Sequence, residues 1–212
     1  MISPEPPPAL STFSSKSMSN QELSLEMRST ALVLIDLQHG IVAMDVHPQP
    51  SSVVIARGRQ MADAFRRAGA PVVLVSVGNR DAQDMLMPPC DAGHPASTAR
   101  PDNWSTLVPE LGVQASDIQI TKRQWGAFYG TELDLQLRRR GVKTIVLAGI
   151  STHVGVESTA RDAYERGYAQ VLVADAMASP SAEAHANTLK FVFPRIGLIR
   201  STQQVLDAAS RG

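Results

Sequence analysis

Three stretches of this 212-residue chain place chemically able residues where an apolar run gives way to a turn. The first is Asp36, which closes the run Ala31–Asp36 (ALVLID). A carboxylate at the end of an apolar strand is partly desolvated. That favours its neutral form and raises its pKa, as a general acid or base requires. A helix cap or a structural ion pair is the other use of such a position. The second is Lys122, ending the short run Ile118–Lys122 (IQITK). An ammonium beside Asp36 would pull the carboxyl pKa back down and would stabilise negative charge developing on a substrate. Taken alone, it reads as a surface lysine. The third is the turn Gly149–Gly155 (GISTHVG). Backbone N–H groups at a strand-to-helix turn lack intrahelical partners and can face a ligand as an oxyanion site, or simply make a tight turn.

These stretches must be positioned by the elements around them. Short apolar runs at Ala31–Asp36, Pro71–Val77, Ile118–Lys122, Thr144–Ala148, Gln170–Ala174 and Ile196–Ile199 read as strands. Helical patterns run over Val53–Ala68 (stopped by Gly69), Thr131–Arg140, Val154–Arg166, Ser181–Phe191 and Thr202–Ala209. In the second of these, Leu133, Leu135 and Leu137 mark the apolar side. Strands alternating with helices predict an α/β fold, a doubly wound parallel sheet covered on both faces. Ligands in such sheets bind beyond the carboxyl ends of the strands, where Asp36, Lys122 and the 149–155 turn all fall.

Two regions stand outside this alternation. Residues 1–22 are rich in Pro and Ser and are expected to be a disordered tail preceding a domain over 23–212. The stretch Asn79–Asp117 carries Pro88, Pro89, Pro95, Pro101 and Pro109 and little periodicity. A connection that long is expected to be a lid or substrate loop, with an oligomer contact as the alternative. Trp104, Leu107 and Leu111 give it something to bury.

Hydrophobic residues make up 43% of the chain and aromatics 5%, with a net charge of zero. The balance suggests neither nucleic acid nor membrane surface as a partner. Cys90 is the one cysteine, which excludes an intramolecular disulfide framework and fits a reducing compartment. The N-terminus shows no basic start followed by an apolar block, so a cytoplasmic location is the expectation.

In this order, the segments ALVLIDLQ, TKRQWGAFYGTEL and GISTHVGVESTARDAYERGY followed by VLVADAMAS resemble the isochorismatase-like, or cysteine hydrolase, superfamily. The resemblance covers about residues 28–208. It implies a three-layer sandwich around a six-stranded parallel sheet and a catalytic triad of Asp, Lys and Cys. Asp36 and Lys122 match the first two members, and the cysteine position falls at Gly155. It also implies a cis bond at Ile150–Ser151 that turns the Ser151 and Gly155 amides toward the ligand. Family members commonly form dimers or tetramers, which implies a homodimer or homotetramer here.

The missing sulfur decides the expected mechanism. Gly155 has no side chain and cannot form the covalent intermediate of the cysteine members. True isochorismatases also carry Gly at this position and cleave a vinyl ether. The resemblance therefore implies acid-assisted hydrolysis of a small carboxylated enol ether, with Asp36 as acid, Lys122 positioning it and Gly155 leaving room. Amide hydrolysis by water activated at Asp36, or a non-catalytic small-molecule binder or assembly subunit, are the alternatives.

Around these residues, Gln38, Trp125, Phe128, Ser151 and His153 are substrate-binding candidates. Tyr129 also flanks the lysine, and Arg80, Arg100 and Arg123 are possible partners for substrate carboxylates. Core packing for Phe128 and helix capping for His153 are equal alternatives. Glu157 is expected to pair with Arg161 one helical turn on. Related amidases hold a metal through an Asp-x-His motif and a further His after the second strand. That region here reads SVGNRDAQDM without His, so no metal is expected, and no cofactor is called for.

Overall fold

The structure is a computed structural model and describes residues 22–84, 86, 88–92 and 100–211. The expected tail therefore lies, apart from Glu22, outside the described residues.

Six parallel strands form one sheet in the order β3-β2-β1-β4-β5-β6. They are β1 (Thr30–Ile35), β2 (Val72–Val77), β3 (Ile118–Lys122), β4 (Thr144–Ile150), β5 (Ala169–Ala178) and β6 (Leu198–Arg200). Every residue of β1 is buried, because helices cover both faces of the central strand. The side chains alternate between two cores. Leu32 and Leu34 join a cluster with Val54, Met61 and Phe65 of the first long helix and Val205 of the C-terminal one. Ala31, Val33 and Ile35 join the opposite cluster with Leu133, Leu137, Ala160 and Phe193.

Seven α-helices lie among the described residues, six between strands and the last after β6: α1 (His39–Val42), α2 (Ser51–Arg67), α3 (Leu133–Arg139), α4 (Glu157–Glu165), α5 (Ala182–Asn187), α6 (Phe193–Ile196) and α7 (Thr202–Arg211). From β1 the chain winds outward to β2 and β3, then returns to the other side of β1 as β4. The strand order reverses between β1 and β4, so their carboxyl ends diverge into a crevice. Asp36 leaves one side of it and the 149–155 turn leaves the other.

Several elements depart from the sequence expectation. The segment 154–166 is not one α-helix. It begins as a π-turn over Thr152–Val156 that feeds α4. The expected helix 181–191 likewise splits into α5, a π-turn over Thr188–Val192 and α6, which carries Pro194 in its first turn. β5 runs to Ala178 because it pairs with β4 across a register shift between Leu147 and Gly149, a feature without a local composition signal. In α3, Leu133 and Leu137 are buried while Leu135 is 49% exposed. Residues two apart cannot share a helix face, and those four apart do.

The long 79–117 connection is fastened to the exit of β1. His39 and Gly40 donate backbone N–H groups to the Thr106 and Trp104 carbonyls, and Val108 donates to Leu37. Trp104 lies on Gly40 so closely that a Cβ there would come within 2.0 Å of the indole. Leu111 is fully buried and anchors the far end of the connection against α2.

Candidate active site

Asp36 follows β1 with a backbone φ of 54°, a left-handed conformation that Asp tolerates better than bulkier residues. Its N–H donates to the Val75 carbonyl at 2.8 Å, so the residue is pinned to β2 as the chain turns. Lys122 ends β3, two strands away, and its side chain is only 2% exposed. Lys122 Nζ donates to Asp36 Oδ2 at 2.8 Å and to the Gln124 carbonyl at 3.2 Å.

The two groups form a buried pair, yet Asp36 Oδ1 is buried with no hydrogen-bond partner among the described residues. Burial, opposed by the charge and hydrogen bond of Lys122, pushes the Asp36 carboxyl up to about 6. A group poised there exchanges a proton readily near neutral pH.

Gly155 sits at the third corner. A Cβ placed on it would lie 3.2 Å from Asp36 Oδ2, 3.0 Å from Ile35 Cγ2 and 3.5 Å from the Trp125 carbonyl oxygen. A side chain at this position would therefore touch the acid, and glycine has none. The Ile150–Ser151 peptide preceding the turn is cis. Ser151 is nearly buried, and its carbonyl accepts from the Val154 and Val156 amides, which closes the turn.

The other candidates separate by environment. Gln38 is fully buried and its amide is committed to backbone: Nε2 donates to Val77 and Trp104 carbonyls at 2.9 and 3.2 Å, and Oε1 accepts from Val77 N–H at 2.7 Å. It ties β1, β2 and the long connection together and has no amide hydrogen left over for substrate. Phe128 is 4% exposed in the core, packed on Tyr168 at 5.8 Å with the Arg166 guanidinium over its ring. Trp125 and Tyr129 are open to solvent, at 66% and 71%. Half-buried His153 hydrogen-bonds Ser179 through Nδ1. Glu157 pairs with Arg161 at 2.9 Å and accepts from Thr188 Oγ1 at 2.6 Å.

Nothing in the local sequence marks the polar network behind the turn. Thr152 Oγ1 donates to the Ala178 carbonyl at 3.1 Å and contacts His185 Nδ1 at 2.8 Å. With its one hydroxyl hydrogen used, Thr152 must accept from His185, which assigns the Nδ1–H tautomer. Burial first, and His153 second, hold His185 below the ordinary histidine value. Thr152 and His185 are 33 positions apart, so only the fold makes them neighbours.

Among the described residues, no group of three or more His, Cys, Asp or Glu side chains is placed to hold a metal ion. Asp45 and His47 approach each other at 3.9 Å. Cys90 is exposed in the β2–β3 connection. No helix among the described residues is long and apolar enough to cross a membrane.

A doubly wound sheet takes small-molecule ligands beyond the carboxyl ends of its strands, where the buried Asp36–Lys122 pair lies. The family model of the isochorismatase domain matches residues 30–204. The chain is 49% identical over 187 residues to the isochorismatase family protein YecD of Escherichia coli O157:H7, covering 88% of this chain and 99% of that one. It is 48% identical over 186 residues to YwoC of Bacillus subtilis, covering 87% and 96%. The ureidoacrylate amidohydrolase RutB of Stutzerimonas stutzeri is 31% identical over 187 residues, covering 74% and 72%. Among solved structures, an isochorismatase family protein from Burkholderia thailandensis superimposes with a TM-score of 0.84 at 42% identity, covering 88% and 98%. The chain belongs to the isochorismatase family and is a hydrolase of that family.

Proposed function

We propose that this isochorismatase-family hydrolase cleaves a small carboxylated enol ether by acid-assisted addition of water, without a covalent enzyme intermediate. The observation that carries the reading is the uncommitted Oδ1 of Asp36, on a carboxyl pushed up to about 6. Protonated Asp36 delivers its hydrogen to the terminal vinyl carbon, and the double-bond electrons form that C–H bond. The ether oxygen shares the positive charge left on the adjacent carbon. Water adds to that carbon and returns a proton to Asp36. The hemiketal then breaks its C–O bond, giving an alcohol and a ketone. Lys122 holds Oδ2 and stabilises the carboxylate formed on donation. Glycine at position 155 keeps the acid clear of a side chain that would crowd Oδ2.

The test is a panel containing isochorismate, simpler enol ethers and primary amides. Cleavage of an enol ether in deuterated water should place deuterium in the new methyl group. Its rate should fall as pH rises above about 6, because the acid form of Asp36 is lost. Cleavage of amides alone overturns the reading.

A second reading, water-mediated amide hydrolysis with Asp36 as base, draws support from the amidohydrolase name of the RutB relative. It reverses the pH dependence, since the rate would then rise through about 6. The exposed Trp125, Tyr129, Tyr164 and Phe191 and the zero net charge support a homodimer or homotetramer. Light-scattering mass checks that state. Imaging of a tagged chain checks the cytoplasmic location, which the single cysteine supports.

A further inference from the structure

One residue along the chain from Lys122, a further polar atom is unsatisfied. Arg123 follows Lys122 directly, and its Nη1 is buried with no hydrogen-bond partner among the described residues. Asp36 Oδ1 and, at the end of the far edge strand β6, Arg200 Nε are likewise buried and without a partner at the carboxyl ends of the strands. Asp36 is a proton exchanger and Arg123 a permanent cation, and the side chain of Lys122, next to Arg123 in sequence, contacts the first. A guanidinium N–H left unpaired away from water is costly, so such atoms are usually given an acceptor.

Arg123 is not loose. Its Nε donates to Asp84 Oδ2 at 3.2 Å, and its side chain is 32% exposed. Asp84 lies in the turn Ala82–Asp84 beyond the end of β2, and β2 pairs with β3 at Val77–Lys122. Asp84 is itself held by Arg80, whose Nε and Nη2 donate at 2.9 and 3.1 Å and whose backbone N–H donates at 3.0 Å. These bonds from Arg80 keep the Asp84 carboxyl well below the usual carboxylate range. It is thus an anion at any working pH, fixing one edge of the Arg123 fork. Nη1 remains to donate elsewhere. Arginine presents its donors as a planar fork matched to a carboxylate, which makes an oriented, unpaired donor a selective anion site.

We infer that Arg123 binds the carboxylate of the substrate, with Asp84 as the positioning residue that aims its guanidinium. This deepens the reading above, since it rests on a small anionic substrate bound at the carboxyl ends of β1 and β3. It assigns the preference for an anionic over a neutral substrate to a residue that takes no part in proton transfer.

The experiment uses benzoate and benzamide, an anion and its neutral isostere, with chromatography to check that benzamide stays uncleaved during the measurement. Binding is measured by calorimetry and thermal shift on the full chain. The intact protein is expected to bind benzoate at least about tenfold more tightly than benzamide, a difference worth about 1.4 kcal/mol. Arg123→Gln should lose that preference by weakening benzoate far more than benzamide, while circular dichroism reports that the protein is folded. Arg123→Lys should recover only part of it, because an ammonium lacks the fork. Asp84→Asn should weaken benzoate binding by a smaller factor. Benzoate bound equally well by Arg123→Gln, or no benzoate preference in the intact protein, overturns the inference. The enol-ether reading fails separately, by absence of enol-ether cleavage while the carboxylate preference persists.

Discussion

Lys122 Nζ donates to Asp36 Oδ2 at 2.8 Å, while Oδ1 of the same carboxyl has no partner among the described residues. That division gives the acid two faces, one fixed and one available. In the proposed reaction the available face is the one a substrate would meet, and the fixed face would bear on how the charge left after proton donation is tolerated.

Asp36→Asn preserves the shape of the side chain and removes its exchangeable proton. Turnover should fall by about 10²–10⁴-fold, the usual contribution of a positioned acid or base. Circular dichroism should show an unchanged fold. Turnover within a few-fold of the intact enzyme would remove Asp36 from the mechanism.

Lys122→Met tests the pair through stability. The Asp36 carboxyl is raised to about 6 in the folded protein, above the ordinary aspartate value of 3.8. The folded state therefore keeps a proton that the unfolded chain releases between roughly pH 4 and 6. The stabilisation is full below that window and declines as pH rises through it. Removing the ammonium takes away what lowers the carboxyl, so the decline should extend above pH 6. Denaturant melts of Lys122→Met should show a deficit that grows with pH toward about 3–5 kcal/mol, the scale of a broken buried pair. The double variant Asp36→Asn with Lys122→Met should regain much of it and lose the pH dependence. A deficit independent of pH would mean that the ionised pair does not govern stability.

Gly155→Ala asks what the corner without a side chain is for. The new methyl would stand 3.0 Å from Ile35 Cγ2 and 3.2 Å from Asp36 Oδ2, closer than carbon normally approaches. We expect a stability loss of about 1–3 kcal/mol from overpacking. The kcat/KM should drop by as much as about 10²-fold, because the acid or the substrate is displaced by a fraction of an ångström. Unchanged kinetics would show that crowding the acid at this corner does not disturb the reaction.

Gln38→Leu removes an amide that serves three backbone groups at once. The Val77 N–H and two carbonyls would lose that partner, at about 1–3 kcal/mol for each group that water cannot reach. Thermal melts should register a large loss. Hydrogen exchange should rise at Gly40, whose bond to the Trp104 carbonyl fastens the long connection to α1. If stability is retained and only KM changes, Gln38 contacts substrate instead of positioning the backbone.

The strand-and-helix order is legible in the sequence because fully buried strands need unbroken apolar runs. ALVLI and VVLV show theirs, and the acid at the end of the first run is visible for the same reason. Spacing also marks the Glu157–Arg161 pair, since one helical turn makes them neighbours. What lies beyond reach depends on contacts between distant segments. The π-turn over Thr152–Val156 that replaces the start of the expected helix, and the extension of β5 to Ala178 across its register shift with β4, have no local signal. Gln38 reads as a ligand to substrate until the fold sets it between Val77 and Trp104. Phe128 and Trp125, three residues apart, face core and solvent respectively, a choice made by Tyr168 and Arg166 on other elements. The sequence by itself determined which groups were available: a carboxyl, an ammonium and a position without a side chain. Only tertiary packing brought residues 36, 122 and 155 within contact distance. Burial, which depends on the whole sheet and its covering helices, and the opposing Lys122 ammonium together set the proton affinity of the acid.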